Sequence, residues 1–187
     1  KWFDTLMRFC DGAGLQIVLS IDGTGETQEF QRKSNIKWNV IKNNIEKYRS
    51  ASEAHEGCDV SIQMTCTAIN LVTIDKWWDE LINAKVRIDP NQVWWPKGMA
   101  VSCIPPELKQ KSIDFLKNWI DNYKPNSIVA LGMSDDRNVY VAVDTLINIL
   151  ETTEYTGSKE FIEIQNRYDG YRDENILDLD ARFKAMM

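Results

Sequence analysis

Apolar residues along the chain change their spacing several times, and each change predicts an element. Trp2, Phe3, Leu6 and Phe9 recur at helical spacing, and Gly12 and Gly14 end that helix. Leu15-Gln16-Ile17-Val18-Leu19-Ser20-Ile21 is then a nearly unbroken apolar run rich in branched residues. It predicts a strand buried on both faces, as in a parallel sheet. Asp22-Gly23-Thr24-Gly25-Glu26 reads as a polar glycine loop. From Ile36 to Tyr48, Ile41, Ile45 and Tyr48 share one side, which predicts a helix laid on that sheet.

A polar connector from Ser50 to Gly57 leads into a second strand over Asp59 to Ala68. There Val60, Ile62, Met64, Cys66 and Ala68 alternate with Ser61, Gln63, Thr65 and Thr67, giving one apolar and one polar face. A helix after Asn70 carries Trp77, Trp78, Leu81 and Ile82, and Lys85 to Asp89 predicts a short third strand stopped by Pro90. Pro105-Pro106 suits the start of a helix running to about Tyr123. Helical periods return beyond Pro125, through Val139, Val143, Leu146, Ile147 and Leu150, and again from Ser158 to Tyr171.

Strand and helix alternate three times between residues 15 and 123, so the fold class is α/β with βαβ units and a parallel sheet. Residues 1–124 form the strand-bearing part, and 125–187 form a helical C-terminal extension packed on the sheet or its end. Three strands leave two edges to manage. That, and a first residue Lys1 inside a helix already under way, predicts that the sequence begins within a longer chain.

Composition narrows the function. Twenty-two Lys and Arg against 28 Asp and Glu leave a formal charge of −6 over 187 residues. Without a basic stripe this disfavours nucleic acid as a partner, because phosphate neutralisation needs clustered cations. It disfavours an anionic membrane surface as well. No apolar run approaches the roughly 20 residues that span a bilayer, and no signal peptide is expected, so the predicted location is cytoplasmic. His55 is the only histidine, which removes a His-rich metal site and any triad that needs a second one. Cys10, Cys58, Cys66 and Cys103 lie 48, 8 and 37 positions apart, none of these the spacing of a zinc or iron–sulfur knuckle. Four free thiols in a reducing compartment are expected.

In parallel α/β folds ligands gather at the carboxyl ends of the strands, which nominates three places. Ser20 and Asp22 lie two apart on an extended segment and leave the same face, with Arg32 ten residues on. A hydroxyl and a carboxylate suit a ribose diol, and a guanidinium suits a carboxylate or phosphate. A plain strand-ending turn, with Asp22 bonded to backbone beside Gly23, explains the same residues. Gly23-Thr24-Gly25 lacks the third glycine of a dinucleotide fingerprint and the Gly-Lys-Ser/Thr of a phosphate loop. The second place is Gln63, Thr65 and Thr67 followed by Asn70, a site lining or a solvated strand face. The third is Trp94-Trp95-Pro96, a pocket wall or, by the commoner reading, core or subunit contact. Trp77-Trp78 read as packing, and Asp169, Arg172, Asp173 and Glu174 as a solvated helix face or capping pair.

Ser20-Ile21-Asp22-Gly23 with Glu26, Glu29-Phe30, Arg32, Trp38 and Asn43-Asn44-Ile45 resembles the second half of radical SAM enzymes, specifically twitch-domain-containing radical SAM proteins. Ile104-Pro105-Pro106-Glu107-Leu108-Lys109 and Tyr168-Asp169-Gly170-Tyr171-Arg172-Asp173-Glu174-Asn175 match the same group in the same order. The resemblance implies a partial (βα)6 TIM-like barrel of which this chain holds the last three βα units. It also implies S-adenosylmethionine as cofactor, with Ser20 and Asp22 on its ribose, Arg32 on its carboxylate, and Thr67 and Asn70 as further contacts. A [4Fe-4S] cluster would complete the intact enzyme, with a peptide or small-molecule substrate and a ferredoxin or flavodoxin as electron donor. The Cys-x3-Cys-x2-Cys that binds this cluster is absent here, as is the family's Gly-Gly-Glu, so these 187 residues alone are not catalytically competent. The rival expectation is a non-enzymatic α/β module that binds a nucleotide-like ligand or a protein partner. A metabolic enzyme built on Asp22 is weaker, because no base partners that carboxylate.

Overall fold

A computed structural model describes residues 3, 5–8, 14–33, 36–123 and 137–187. Trp2, Phe9, Cys10, Gly12 and Pro125 lie outside them; Phe3 and residues 5–8 are helical. Three parallel strands, β1 (Leu15–Ser20), β2 (Cys58–Cys66) and β3 (Arg87–Gln92), pair in the order β1-β2-β3. Between β1 and β2 run α1 (Gly25–Arg32) and α2 (Trp38–Ala54). Between β2 and β3 run α3 (Ala68–Val72), a 3-10 turn and α4 (Trp78–Ile82). Then come α5 (Pro106–Asn122), α6 (Arg137–Thr152), α7 (Lys159–Arg172), α8 (Ile176–Leu179) and a closing 3-10 segment, Ala181–Met186. The mixed α/β class with a small open parallel sheet is thus as the alternation predicts.

One face of the sheet is covered. Val60, Ile62, Met64, Cys66 and Ile88 lie buried there, with α2 packed on β2 and α6 on β3. A single core cluster reaches from Ile21 to Met186, so the C-terminal helices share it with the sheet. Trp77 and Trp78 are 1% and 0% exposed and pack edge to face, as expected of core side chains. Lys109 Nζ donates to the carbonyl of Thr153 and Gln92 Nε2 to its hydroxyl at 2.8 Å, fixing the end of α6 against β3. Burial lowers the pKa of that lysine.

The other face is polar and open. In register across it stand Gln16 and Asp59; Val18, Ser61 and Arg87; Ser20, Gln63 and Asp89; and Thr65 with Asn91. Burial of β1 on both faces is therefore corrected: its positions alternate, and Val18 is 50% exposed. Gln16, Val18, Ser20 and Gln63 on this face are exposed while Ser61 among them is buried, so the branched run of β1, which suits either environment, stays half solvated. Pro90 does not end β3 but sits inside it, opposite Met64. The strand is an edge, and the missing N–H falls on the side without a partner strand. Ala68 opens α3 rather than closing β2, and α2 continues into the expected connector as far as Ala54.

Candidate functional site

All five nominated residues, Ser20, Asp22, Arg32, Thr67 and Asn70, converge where β1 and β2 end. Past Ser20, the Ile21 N–H still donates to Gln63 O at 3.2 Å, so the chain stays beside β2 while Asp22 turns inward, 7% exposed. Gly25 takes φ +53°, a left-handed conformation that glycine adopts without Cβ strain, and α1 starts there. Two turns later Arg32, the last residue of α1, has come back over the strand end. Its Nε lies 2.6 Å from Asp22 Oδ2, and its Nη2 donates to Ser20 Oγ at 2.5 Å. The other carboxylate oxygen accepts the Thr65 N–H at 3.2 Å.

Thr67 and Asn70 belong to the support beneath. Thr67 Oγ1 accepts the Asn70 N–H at 3.2 Å while Asn70 Oδ1 accepts the Thr67 N–H at 2.8 Å, a reciprocal cap that starts α3. The fully buried Asn70 amide then donates to Asp22 O at 2.9 Å and to Thr65 O at 2.7 Å, locking the turn after β1 to the end of β2. Two side chains that sequence reasoning missed complete the network. Gln28 Oε1 accepts the Asp22 N–H at 2.8 Å. Gln31 Nε2 donates to Asp22 O at 3.1 Å while its Oε1 accepts from Thr67 Oγ1 at 2.7 Å. Gln28, Gln31 and Arg32 are spaced i, i+3, i+4, a signal available once α1 is recognised as a helix.

The reachable part of this cluster is small. Ser20 is exposed, the Arg32 side chain is 38% exposed, and Asp22 offers only 10% of its side chain. Arg32 has donors left for a carboxylate or phosphate, and Ser20 can exchange a hydrogen bond with a ligand hydroxyl. His55 caps the far end of α2 and is no part of the cluster. Among the described residues no group of three or more His, Cys, Asp or Glu could hold a metal. Cys58, Cys66 and Cys103 are buried free thiols, as expected, and burial pushes the Cys66 thiol up to about 12.

The remaining candidates fall elsewhere. Gln63 is exposed and Thr65 half-buried on the open face, next to the cluster. Trp94 and Trp95 are not core, at 73% and 77% exposed. Asp169, Arg172 and Glu174 do more than face solvent. Asp169 Oδ2 accepts the Ile176 N–H at 3.3 Å, Arg172 Nη1 donates to Phe30 O at 3.0 Å, and Glu174 pairs with Lys33. They tie α7 and α8 to α1. Comparison with protein-family models, with curated proteins and with solved structures finds no match to this chain.

Proposed function

We propose that the chain is the C-terminal half of a radical SAM barrel, the last three βα units of a partial (βα)6 fold, and that it contributes one wall of an S-adenosylmethionine site. The observation that carries this reading is the meeting of Ser20, Asp22, Arg32, Thr67 and Asn70, from separate elements, at the carboxyl end of parallel strands. The polar, uncovered sheet face supports it too, since a half-barrel presents such a face.

The residues fit the cofactor in part. Arg32 suits its carboxylate and Ser20 a ribose hydroxyl. Asp22 has both oxygens engaged, so its role is to orient Arg32, with Asn70 and Thr67 holding the turn in place. Bound next to a [4Fe-4S] cluster and given one electron from the donor, the cofactor would supply radical hydrogen-abstraction chemistry. The cluster ligands are not in this sequence, and the substrate, peptide or small molecule, and the ferredoxin or flavodoxin donor are those of the family. In that setting this chain's residues bind and orient.

A second reading, a non-enzymatic module for a nucleotide-like ligand or protein partner, is favoured by one observation: what the cluster presents to solvent is a guanidinium and a hydroxyl, groups that bind, while both Asp22 oxygens are engaged. Sequencing the source DNA upstream of the Lys1 codon separates the two. An open frame with Cys-x3-Cys-x2-Cys some ~100 residues ahead, a domain-scale distance, is expected. A start codon directly before Lys1 would overturn the enzyme reading in favour of the module.

A further inference from the structure

Gln165 sits in the middle of α7 with 0% of its surface exposed, and its amide is poorly provided for. Its Oε1 has no hydrogen-bond partner among the described residues, and its Nε2 donates to the thioether sulfur of Met99 at 3.6 Å. A thioether is a weak acceptor, so a buried primary amide costs free energy here. An aliphatic side chain would avoid that cost on a helix face that already buries Phe161 one turn earlier.

Met99 meets the amide from the turn Lys97–Met99, and both sides of the contact are fixed. Gly98 lies so close to α7 that a Cβ there would stand 2.2 Å from Glu160 O. The Cys103 thiol donates to Lys97 O at 3.2 Å, and Ser158 Oγ, just before α7, donates to Cys103 O at 3.1 Å. Met99 is half-buried, whereas Met7, Met64 and Met186 are buried. Oxidising a core methionine places a polar S=O among apolar groups and disrupts them. At Met99 the added oxygen would find a buried N–H already facing the sulfur. Set off the S···N line, it comes within reach of Nε2 while the sulfur stays in place, and a strong acceptor replaces a weak one. Cys58, Cys66 and Cys103 compete poorly for an oxidant, because they are buried and burial raises the Cys66 and Cys103 thiols away from the reactive thiolate.

We propose that Met99 is a site of reversible oxidation to the sulfoxide by hydrogen peroxide, with the Gln165 amide receiving the sulfoxide oxygen. The thioether attacks one peroxide oxygen and the O–O bond breaks. The departing hydroxide takes the proton of the transferred oxygen and leaves as water, so sulfur loses two electrons and the peroxide gains them. Gln165 stands on one side of the sulfur and therefore selects one of the two sulfoxide epimers. No adenosyl cofactor is involved, so this site and the cofactor site fail separately.

The full 187-residue chain carrying Met133→Leu and Met187→Leu is treated with excess hydrogen peroxide, mapped by peptide mass spectrometry and unfolded thermally. Met99 is expected to oxidise while Met7, Met64 and Met186 stay reduced, with the thermal midpoint within about 2 °C of the untreated protein. After digestion, just one of the two epimer-specific methionine sulfoxide reductases should restore the Met99 peptide. With Gln165→Leu added, the same oxidation should lower the midpoint by about 5 °C or more, because the sulfoxide then lacks its donor. A Met99 that resists oxidation overturns the proposal, as does a midpoint shift that is the same with and without Gln165. The epimer test needs no variant at residue 165 and decides the matter if Gln165→Leu loses its thermal transition: equal restoration by both reductases overturns the role of Gln165.

Discussion

Two aspartate–arginine clusters occupy opposite ends of this chain, and they are built for different ends. Asp180, 7% exposed, is gripped by Arg182 Nη2 at 2.7 Å and Lys76 Nζ at 2.8 Å, and Arg182 also reaches Asp75 at 2.7 Å. Asp180 Oδ1 accepts the Arg182 N–H at 2.8 Å as well, capping the last 3-10 segment. The hydrogen bonds from Arg182 and Lys76 hold this carboxyl far below the usual range in spite of its burial. Asp22 is equally buried and equally close to an arginine, yet Arg32 keeps 38% of its side chain in solvent beside an exposed Ser20. The first cluster spends its cations on internal partners: Arg182 is shared between Asp180 and Asp75, and Lys76, though its side chain is 47% exposed, also donates to Leu179 O at 2.9 Å. It fastens the C-terminal segment to the segment before α4. The second closes only on its inner side, and what is left outside is a guanidinium and a hydroxyl. On the proposed reading it is the unspent donors, not the pairing, that would make the second cluster a site.

The sharpest way to break the contrast is Asp180→Ala. It removes a cap and the carboxylate that Lys76 and Arg182 share, and should lower unfolding free energy by about 3 kcal/mol in urea denaturation. The same carboxyl predicts a pH dependence. Its folded pKa is depressed, so its stabilisation is complete above the unfolded value near ~3.9 and is lost as pH falls below it. Asp180→Asn should flatten that acid limb in urea midpoints measured between about pH 2 and 6.

Asn70→Ala comes next, at about 2 kcal/mol, because it takes the side-chain donor from Thr65 O, one of two from Asp22 O, and one half of the reciprocal cap of α3. A loss as small as that of a surface residue would mean Asn70 does not lock the turn. Arg32→Ala should cost less than about 1 kcal/mol, since the pair is partly solvated. That substitution sharpens the comparison instead of breaking it: little stability is lost where the Asp180 cluster loses much, and binding of an anionic ligand should fall. Ser20→Ala should leave the urea midpoint unchanged.

Sequence pattern made the βαβ order legible because burial of strands and helix faces leaves periods that need no tertiary context. The cluster was legible in its members, since strand ends are where parallel sheets bind, but not in its wiring. α1 was hidden: Gly25 to Arg32 carries Phe30 as its lone large apolar residue, so no helical stripe shows, and Gln28 and Gln31 went unseen with it. The half-solvated β1 was illegible for another reason. Val18 and Ile17 suit a strand whether or not anything covers it, and cover is a property of neighbours rather than of the residue. Pro90 misled because its cost vanishes on an edge, and edges are fixed by the whole sheet. Trp94 and Trp95 read as core or subunit contact by residue type, while the close contact of Gly98 with α7 holds their loop at the surface.

The most direct test of the binding account is saturation-transfer NMR of the chain with S-adenosylmethionine, repeated on Ser20→Ala with Arg32→Ala. Saturation of the ribose and methionyl protons in the parent chain, reduced at least about tenfold in the double variant at equal stability, is the predicted result. Equal transfer in both proteins, or none in either, would contradict a cofactor wall built on Ser20 and Arg32.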